Sequence, residues 1–172
     1  MSKFSTLLVP ILNEILVKDI GEANIPPLKW RKINDEHYEF EIDVFGKGFN
    51  DIVEVLFETF EQNKETKQYY LPPKLWDSKN TWNVAYIVGG TDTQFTKSNV
   101  KVLLQILSTV VDIIKNFISS KEPDALYILA TEKDGDKIQK SFLYEAYIKK
   151  LLSQIPNYYP ESRRSGTFLI KK

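Results

Sequence analysis

The sequence has 172 residues, of which 42% are apolar, 27% charged and 13% aromatic, and 23 basic residues balance 23 acidic ones. A chain of this length forms one globular domain that buries about 70% of its unfolded surface, and its composition excludes disordered, collagen-like and coiled-coil proteins. Zero net charge, one histidine and no cysteine exclude a broadly basic nucleic-acid-binding surface, disulfides, thiolate nucleophiles and any site that needs two histidines.

Residues 1–20 have the spacing of an amphipathic helix that packs on the core. The apolar positions that recur at helical intervals are Leu8, Ile11, Leu12, Ile15 and Leu16. A second interpretation is a docking helix for a partner protein or a membrane surface, but its polar face lacks the lysines and arginines of an interfacial helix. The chain shows neither a signal-peptide pattern nor an apolar run of about 18 residues, so we expect no signal peptide and no membrane span.

Residues 30–88 have the pattern of an antiparallel meander. From Trp30 to Phe45 apolar and acidic residues alternate, which predicts a half-buried strand with a solvated acidic face. A turn with two glycines follows. Residues 52–60 fit a strand or a helix, and their β-branched and aromatic content favours the strand. Residues 81–88 predict the third strand of the meander.

Residues 97–172 predict a helix–strand–helix–strand half. Residues 100–118 carry a broad apolar stripe, which is typical of a helix that lies across a sheet. The short apolar run at 125–130 predicts a central strand. The last three predicted elements are a helix at 138–155, a loop at 158–166 and a strand at 167–170. We expect this last strand to lie at an exposed sheet edge.

Together these elements predict a single α+β domain over residues 1–172. The predicted order is α-β-β-β-α-β-α-β, with a largely antiparallel sheet and helices packed on one face. The domain has three parts: an amphipathic helix at 1–20, a meander at 30–88 with a long 61–80 linker, and the helix–strand–helix–strand half at 97–172.

The run from Thr91 to Leu152 carries a resemblance. A Thr-bearing loop leads into the helix sequence ILSTVVDII, a Pro-Asp pair and a short apolar strand follow, and a later helix contains Leu143-Tyr144. This frame resembles a group of uncharacterised small phage proteins and, more loosely, an uncharacterised domain family of Bacteroidetes. In the phage group an arginine often precedes the Leu-Tyr pair, whereas Ser141 and Phe142 stand there in this chain. The resemblance implies where the protein comes from, but it does not imply any catalytic activity.

Two groups of residues suggest metal binding, and in both the pattern argues against it. His37 stands among acidic residues, but Asn34–Glu36 predict a turn, which puts His37 on the solvated face of the strand that follows. The turn at Glu132–Asp136 lacks the ligand spacing of an EF-hand, because its glycine would be the fourth residue instead of the sixth. We therefore predict no metal, no cofactor and no catalytic residue.

A weaker candidate is an anion site. Thr91 and Thr93 lie between a glycine pair and the long helix, where backbone N–H groups suit an anion, but the Walker and dinucleotide-binding spacings are absent. Arg163 and Arg164 are two of the three arginines, and paired arginines suit phosphate. If the protein is a small enzyme or inhibitor that binds a phosphorylated ligand, which is our second functional hypothesis, these four residues would form its binding site.

Two predicted loops, in the 61–80 linker and at 158–166, concentrate the residue types of protein interfaces. The interface candidates are Tyr69, Tyr70, Trp76, Tyr158, Tyr159, Arg163 and Arg164. We therefore expect a non-catalytic phage-type protein that associates with itself or with other subunits, as a virion or assembly component located in the host cytoplasm or the virion. We expect no nucleic-acid binding. A third interpretation, a toxin–antitoxin or defence-related module, follows only from the looser Bacteroidetes resemblance.

Overall fold

A seven-stranded sheet organises the protein. The computed structural model describes residues 25–43, 46, 48–60, 71–88, 100–129, 149–163 and 166–172. The strands are β1 Trp30–Asn34, β2 His37–Ile42, β3 Asp51–Thr59, β4 Thr81–Val88, β5 Ala125–Leu129, β6 Tyr158–Arg163 and β7 Gly166–Lys171, and the helix α1 spans Val100–Lys121. The sheet order is β1-β2-β3-β4-β5-β7-β6, and neighbours are antiparallel except β4 and β5. The fold is a mixed α+β domain with a mostly antiparallel sheet.

The predicted element order α-β-β-β-α-β-α-β is wrong at two places. The region 30–45 is a hairpin of β1 and β2 instead of one strand, because the Glu36 N–H donates to Asn34 Oδ1 at 2.8 Å and closes a turn. The predicted loop at 158–166 contains β6, which forms one sheet edge, so the strand predicted at 167–170 lies inside the sheet instead of at its edge. Pro160 is tolerated in β6 because an edge strand needs fewer donors.

The other described elements confirm the predicted pattern. The meander, the long helix and the two apolar strands lie where periodicity placed them, as β3, β4, α1, β5 and β7. The helix predicted at 1–20 and most of the helix predicted at 138–155 lie outside the described residues, although residues 149–152 are helical. Within the described part of the chain, no helix is long and apolar enough to cross a membrane.

The main core lies between α1 and one face of the sheet. Along α1, Ile106, Leu107, Val110, Ile113, Ile114 and Phe117 have no exposed surface. They pack against alternate residues of the central strands, among them Val55, Phe57, Val84 and Leu126. The Phe57 and Phe117 rings stack with centroids 3.8 Å apart, and the Trp82 ring meets Phe117 edge-on at 5.3 Å. The predicted burial of the α1 stripe is confirmed at Ile106, Leu107 and Val110, while the Leu103 side chain lies outside the described residues.

Hydrogen bonds tie the segment before β1 to α1. The Leu28 N–H donates to Thr109 Oγ1 at 3.0 Å, and Trp30 Nε1 donates to Asp112 Oδ2 at 2.8 Å. Thr109 has no exposed surface, and its hydroxyl also donates to the Gln105 carbonyl at 2.8 Å. Polar residues therefore interrupt the apolar stripe of α1 where the chain crosses over the helix.

We expect the free energy of unfolding to fall as the pH rises above about 10. The Tyr158 hydroxyl is buried and donates to the Pro123 carbonyl at 2.7 Å. Desolvation, followed by the charges of Glu122 and Asp124, raises the pKa of Tyr158. In alkaline solution the unfolded chain therefore loses this proton before the folded one does, so the stability that the group contributes below its unfolded pKa is lost.

Urea unfolding between pH 7 and 11 measures this effect. Tyr158→Phe is expected to cost about 1–2 kcal/mol at pH 7, because the Pro123 carbonyl loses its buried donor. It should also make the alkaline decline shallower without removing it, because desolvation raises the pKa of Tyr38 and Tyr86 as well. Tyr159→Phe, at a half-buried neighbour, is the control and is expected to change neither. An alkaline decline in Tyr158→Phe as steep as in the wild type would contradict the assignment.

Candidate functional site

The predicted interface residues divide into two groups in the structure. Tyr158 is buried and bonded to Pro123, so its side chain supports the fold and is not available to a partner. Trp76 is 40% exposed, and its indole N–H donates to the Leu71 carbonyl at 3.0 Å. Tyr159 is half-buried, with the Lys74 Nζ 4.6 Å from its ring centroid. The structure therefore brings the linker and β6 together, a proximity that the sequence did not predict.

Several predicted site residues lie outside the described residues. They are Tyr69, Tyr70, Thr91, Thr93 and Arg164. Arg163 is the last residue of β6, and only its backbone is described. The anion site built from the two threonines and the two arginines therefore stays a prediction.

The face of the sheet turned away from α1, called the distal face below, is half covered. A second apolar cluster lies over its β5–β7 half and consists of Phe60, Leu71, Leu75, Ala125, Tyr127, Phe168 and Ile170. Leu71 and Leu75 come from the linker, whose residues 73–75 form a short 3-10 helix. The predicted polar linker thus includes an apolar cover for the sheet, and Trp76 lies at its exposed margin.

The β2–β4 half of the distal face is exposed and acidic. Among the described residues, its outward positions on β2 and β3 carry Glu39, Glu41, Glu54 and Glu58. Ile52 and Ile87 stand beside Glu54 and are 43% and 46% exposed. Ile87 is the direct cross-strand partner of Glu54 in β4. We call these six residues the acidic patch.

A groove of about 510 Å³ opens beside the acidic patch, along β1 and β2. Its lining residues are Leu28, Lys29, Trp30, Arg31, Glu39, Phe40, Glu41 and Ile52. Glu39, Glu41 and Ile52 belong to both the groove and the patch, so the two form one continuous surface.

At one edge of the acidic patch, His37 lies next to two of the patch residues, Glu39 and Glu54. Strand pairing sets Glu39 of β2 directly opposite Glu54 of β3, and His37 precedes Glu39 on the same face. One donor atom from each of the three lies within 4.8 Å of the others, and His37 Nε2 is 3.4 Å from Glu39 Oε1. Arg31 donates to the other oxygen, Glu39 Oε2, from Nη2 at 2.7 Å and from Nε at 2.9 Å.

Sequence reasoning placed His37 on the solvated face of the strand. The structure confirms the face, opposite the buried Tyr38, but the His37 side chain is only 24% exposed and its Nε2 is buried. The sequence also missed Glu54 as a neighbour. The alternation of β2 indicated that His37 and Glu39 share a face. Nothing in the sequence fixed the register of β3 against β2, so the proximity of Glu54 carried no signal before the fold was known.

Comparisons of the chain with protein-family models, with curated proteins and with solved structures found no match.

Proposed function

We propose that this chain is a phage-type protein that acts by binding another protein through the acidic patch, without catalysis. The observation that carries the proposal is the exposure of Ile52 and Ile87 on a sheet face, among four glutamates. Exposed aliphatic side chains surrounded by charge are typical of a binding surface, in which the apolar side chains supply affinity and a charged rim supplies selectivity.

The chemistry of the patch favours a partner with a basic, partly apolar surface. Arg31 already pairs with Glu39, which leaves Glu41, Glu54 and Glu58 without an ion pair among the described residues. A second copy of the chain would bring the same carboxylates face to face, and such like-charge contacts cost free energy. A basic partner would neutralise them. Trp76, at the margin of the covered half, is placed to extend the contact.

The resemblance of residues 91–152 to small phage proteins supports a phage origin. On that basis we propose that the protein is a virion or assembly component, located in the host cytoplasm or in the virion. The partner would then be encoded near this chain, because phage genes that act together are commonly adjacent. The products of the flanking genes are the first candidates to test.

Co-expression with each flanking gene product, followed by measurement of the binding affinity of the purified pair, tests the proposal. Ile87→Lys is expected to weaken the complex at least about tenfold, because it puts a charge in the apolar centre of the interface. Asn116→Lys adds the same charge at an exposed position of α1 and is expected to bind like the wild type. Binding should also weaken as salt rises.

Two results would contradict the proposal. One is a complex that Asn116→Lys weakens as much as Ile87→Lys, since the patch would then not be the contact. The other is a chain that binds none of the flanking gene products.

A further inference from the structure

We propose that His37, Glu39 and Glu54 bind a zinc ion on the distal face. A tetrahedral zinc ion with bonds of about 2.0–2.2 Å holds neighbouring ligand atoms about 3.4 Å apart. His37 Nε2 and Glu39 Oε1 stand at that spacing, 3.4 Å. The donor atom of Glu54 is within 4.8 Å of both, so it has to move closer to complete the site.

Two features of the cluster are unfavourable without a cation. His37 Nε2 is buried and has no hydrogen-bond partner among the described residues, and a buried polar atom without a partner is costly. Glu39 and Glu54 are direct cross-strand partners, an arrangement in which like charges repel. Arg31 already offsets part of the charge of Glu39, so the cation would mainly compensate Glu54, while the lone pair of the imidazole nitrogen would gain a partner.

The donor set and its support favour zinc over magnesium or calcium. Imidazole nitrogen suits zinc, whereas magnesium and calcium prefer sites made only of oxygen. Arg31 holds Glu39 Oε2 and leaves Oε1 directed at His37, so Arg31 acts as a positioning residue of the kind that orients metal ligands. Three protein ligands leave the fourth position of the ion for water or for a partner's side chain. The inference does not depend on the proposed association.

The composition of the chain makes the test specific. The protein has one histidine and no cysteine, so in a preparation without a histidine tag every imidazole NMR signal comes from His37. After removal of metal with EDTA and dialysis, zinc chloride is titrated by calorimetry and by NMR of the ring nitrogens. We expect one zinc ion per chain, a shift of the single set of ring signals and a higher melting temperature. Magnesium chloride should give none of these effects.

Variants distinguish a specific zinc site from nonspecific attraction of zinc to acidic side chains. His37→Gln and Glu54→Gln are each expected to weaken zinc binding at least about tenfold, since even residues behind the ligands cost that much. Glu58→Gln removes the same charge from the same strand outside the cluster, and its affinity should stay within about twofold of the wild type. Without zinc, Glu54→Gln should melt above the wild type because the repulsion with Glu39 is gone, and zinc should reverse that order.

Three results would overturn the inference. They are titration without saturation at one ion per chain, ring signals that zinc does not move, and a loss of affinity in Glu58→Gln equal to that in Glu54→Gln. Unfolding of each variant in EDTA shows that it is folded before zinc is added.

Discussion

Replacement of Phe117 by alanine is expected to lower the free energy of unfolding by about 3–5 kcal/mol. The side chain has no exposed surface, stacks on Phe57 at 3.8 Å and meets the edge of Trp82 at 5.3 Å. Alanine would therefore leave a cavity where the helix and two strands meet, and it would remove both ring pairs. Chemical denaturation of the wild type and the variant measures the loss.

Two further variants show where the loss comes from. Phe117→Leu keeps most of the apolar volume and should cost clearly less, with about 0.5–1.5 kcal/mol for each lost ring pair. Asn116→Ala, at the exposed neighbouring position, should stay within about 0.5 kcal/mol of the wild type. Equal effects of Phe117→Ala and Asn116→Ala would contradict the packing of α1 described above.

Replacement of Leu107 by alanine is expected to cost about 2–5 kcal/mol. Leu107 lies on the same stripe of α1 nearly three turns before Phe117 and has no exposed surface. The expected loss combines the transfer free energy of the side chain with the cavity that it leaves. Lys115→Ala, on the exposed side of α1, is the matched control. A loss below about 1 kcal/mol for Leu107→Ala would mean that the stripe does not face the sheet.

The elements that sequence predicted correctly are those in which burial on one face sets the spacing of apolar residues. In α1 the apolar positions follow the helical period, and in β3 the buried Val53, Val55 and Phe57 alternate with outward residues. The period identifies such an element because every turn or every second residue must reach the core. These elements form the meander and the helix that packs on it, so most of the architecture could be predicted from the sequence.

The errors lie where polar residues and short turns decide the structure. A turn at Asn34–Glu36 was predicted, but residues 31–37 contain a single apolar residue, Ile33, so no alternation of its own marked β1 as a separate strand. In β6, Pro160 and Glu161 reduce the strand signal, yet pairing with β7 and the buried hydroxyl of Tyr158 hold the strand in place. A local hydrogen bond decides the first case, and tertiary contacts, which local pattern does not contain, decide the second.

The candidate site was only partly predictable for a related reason. The face of His37 and Glu39 follows from alternation within β2, but their neighbours depend on the register of β3. A shift of that register by one residue would place a buried valine instead of Glu54 opposite Glu39, because each single step exchanges the two faces of a strand. Alternation within each strand does not determine that register.

Carboxyl footprinting of the complex with its partner tests the central claim, that the acidic patch is the binding surface. A water-soluble carbodiimide with glycine amide labels exposed carboxylates, and mass spectrometry compares labelling in the free and bound protein. We expect Glu41, Glu54 and Glu58 to be protected on binding, while Glu122, at the far end of α1 and 78% exposed, is labelled equally in both states. Protection of Glu122 with unchanged labelling of the three patch glutamates would contradict the account.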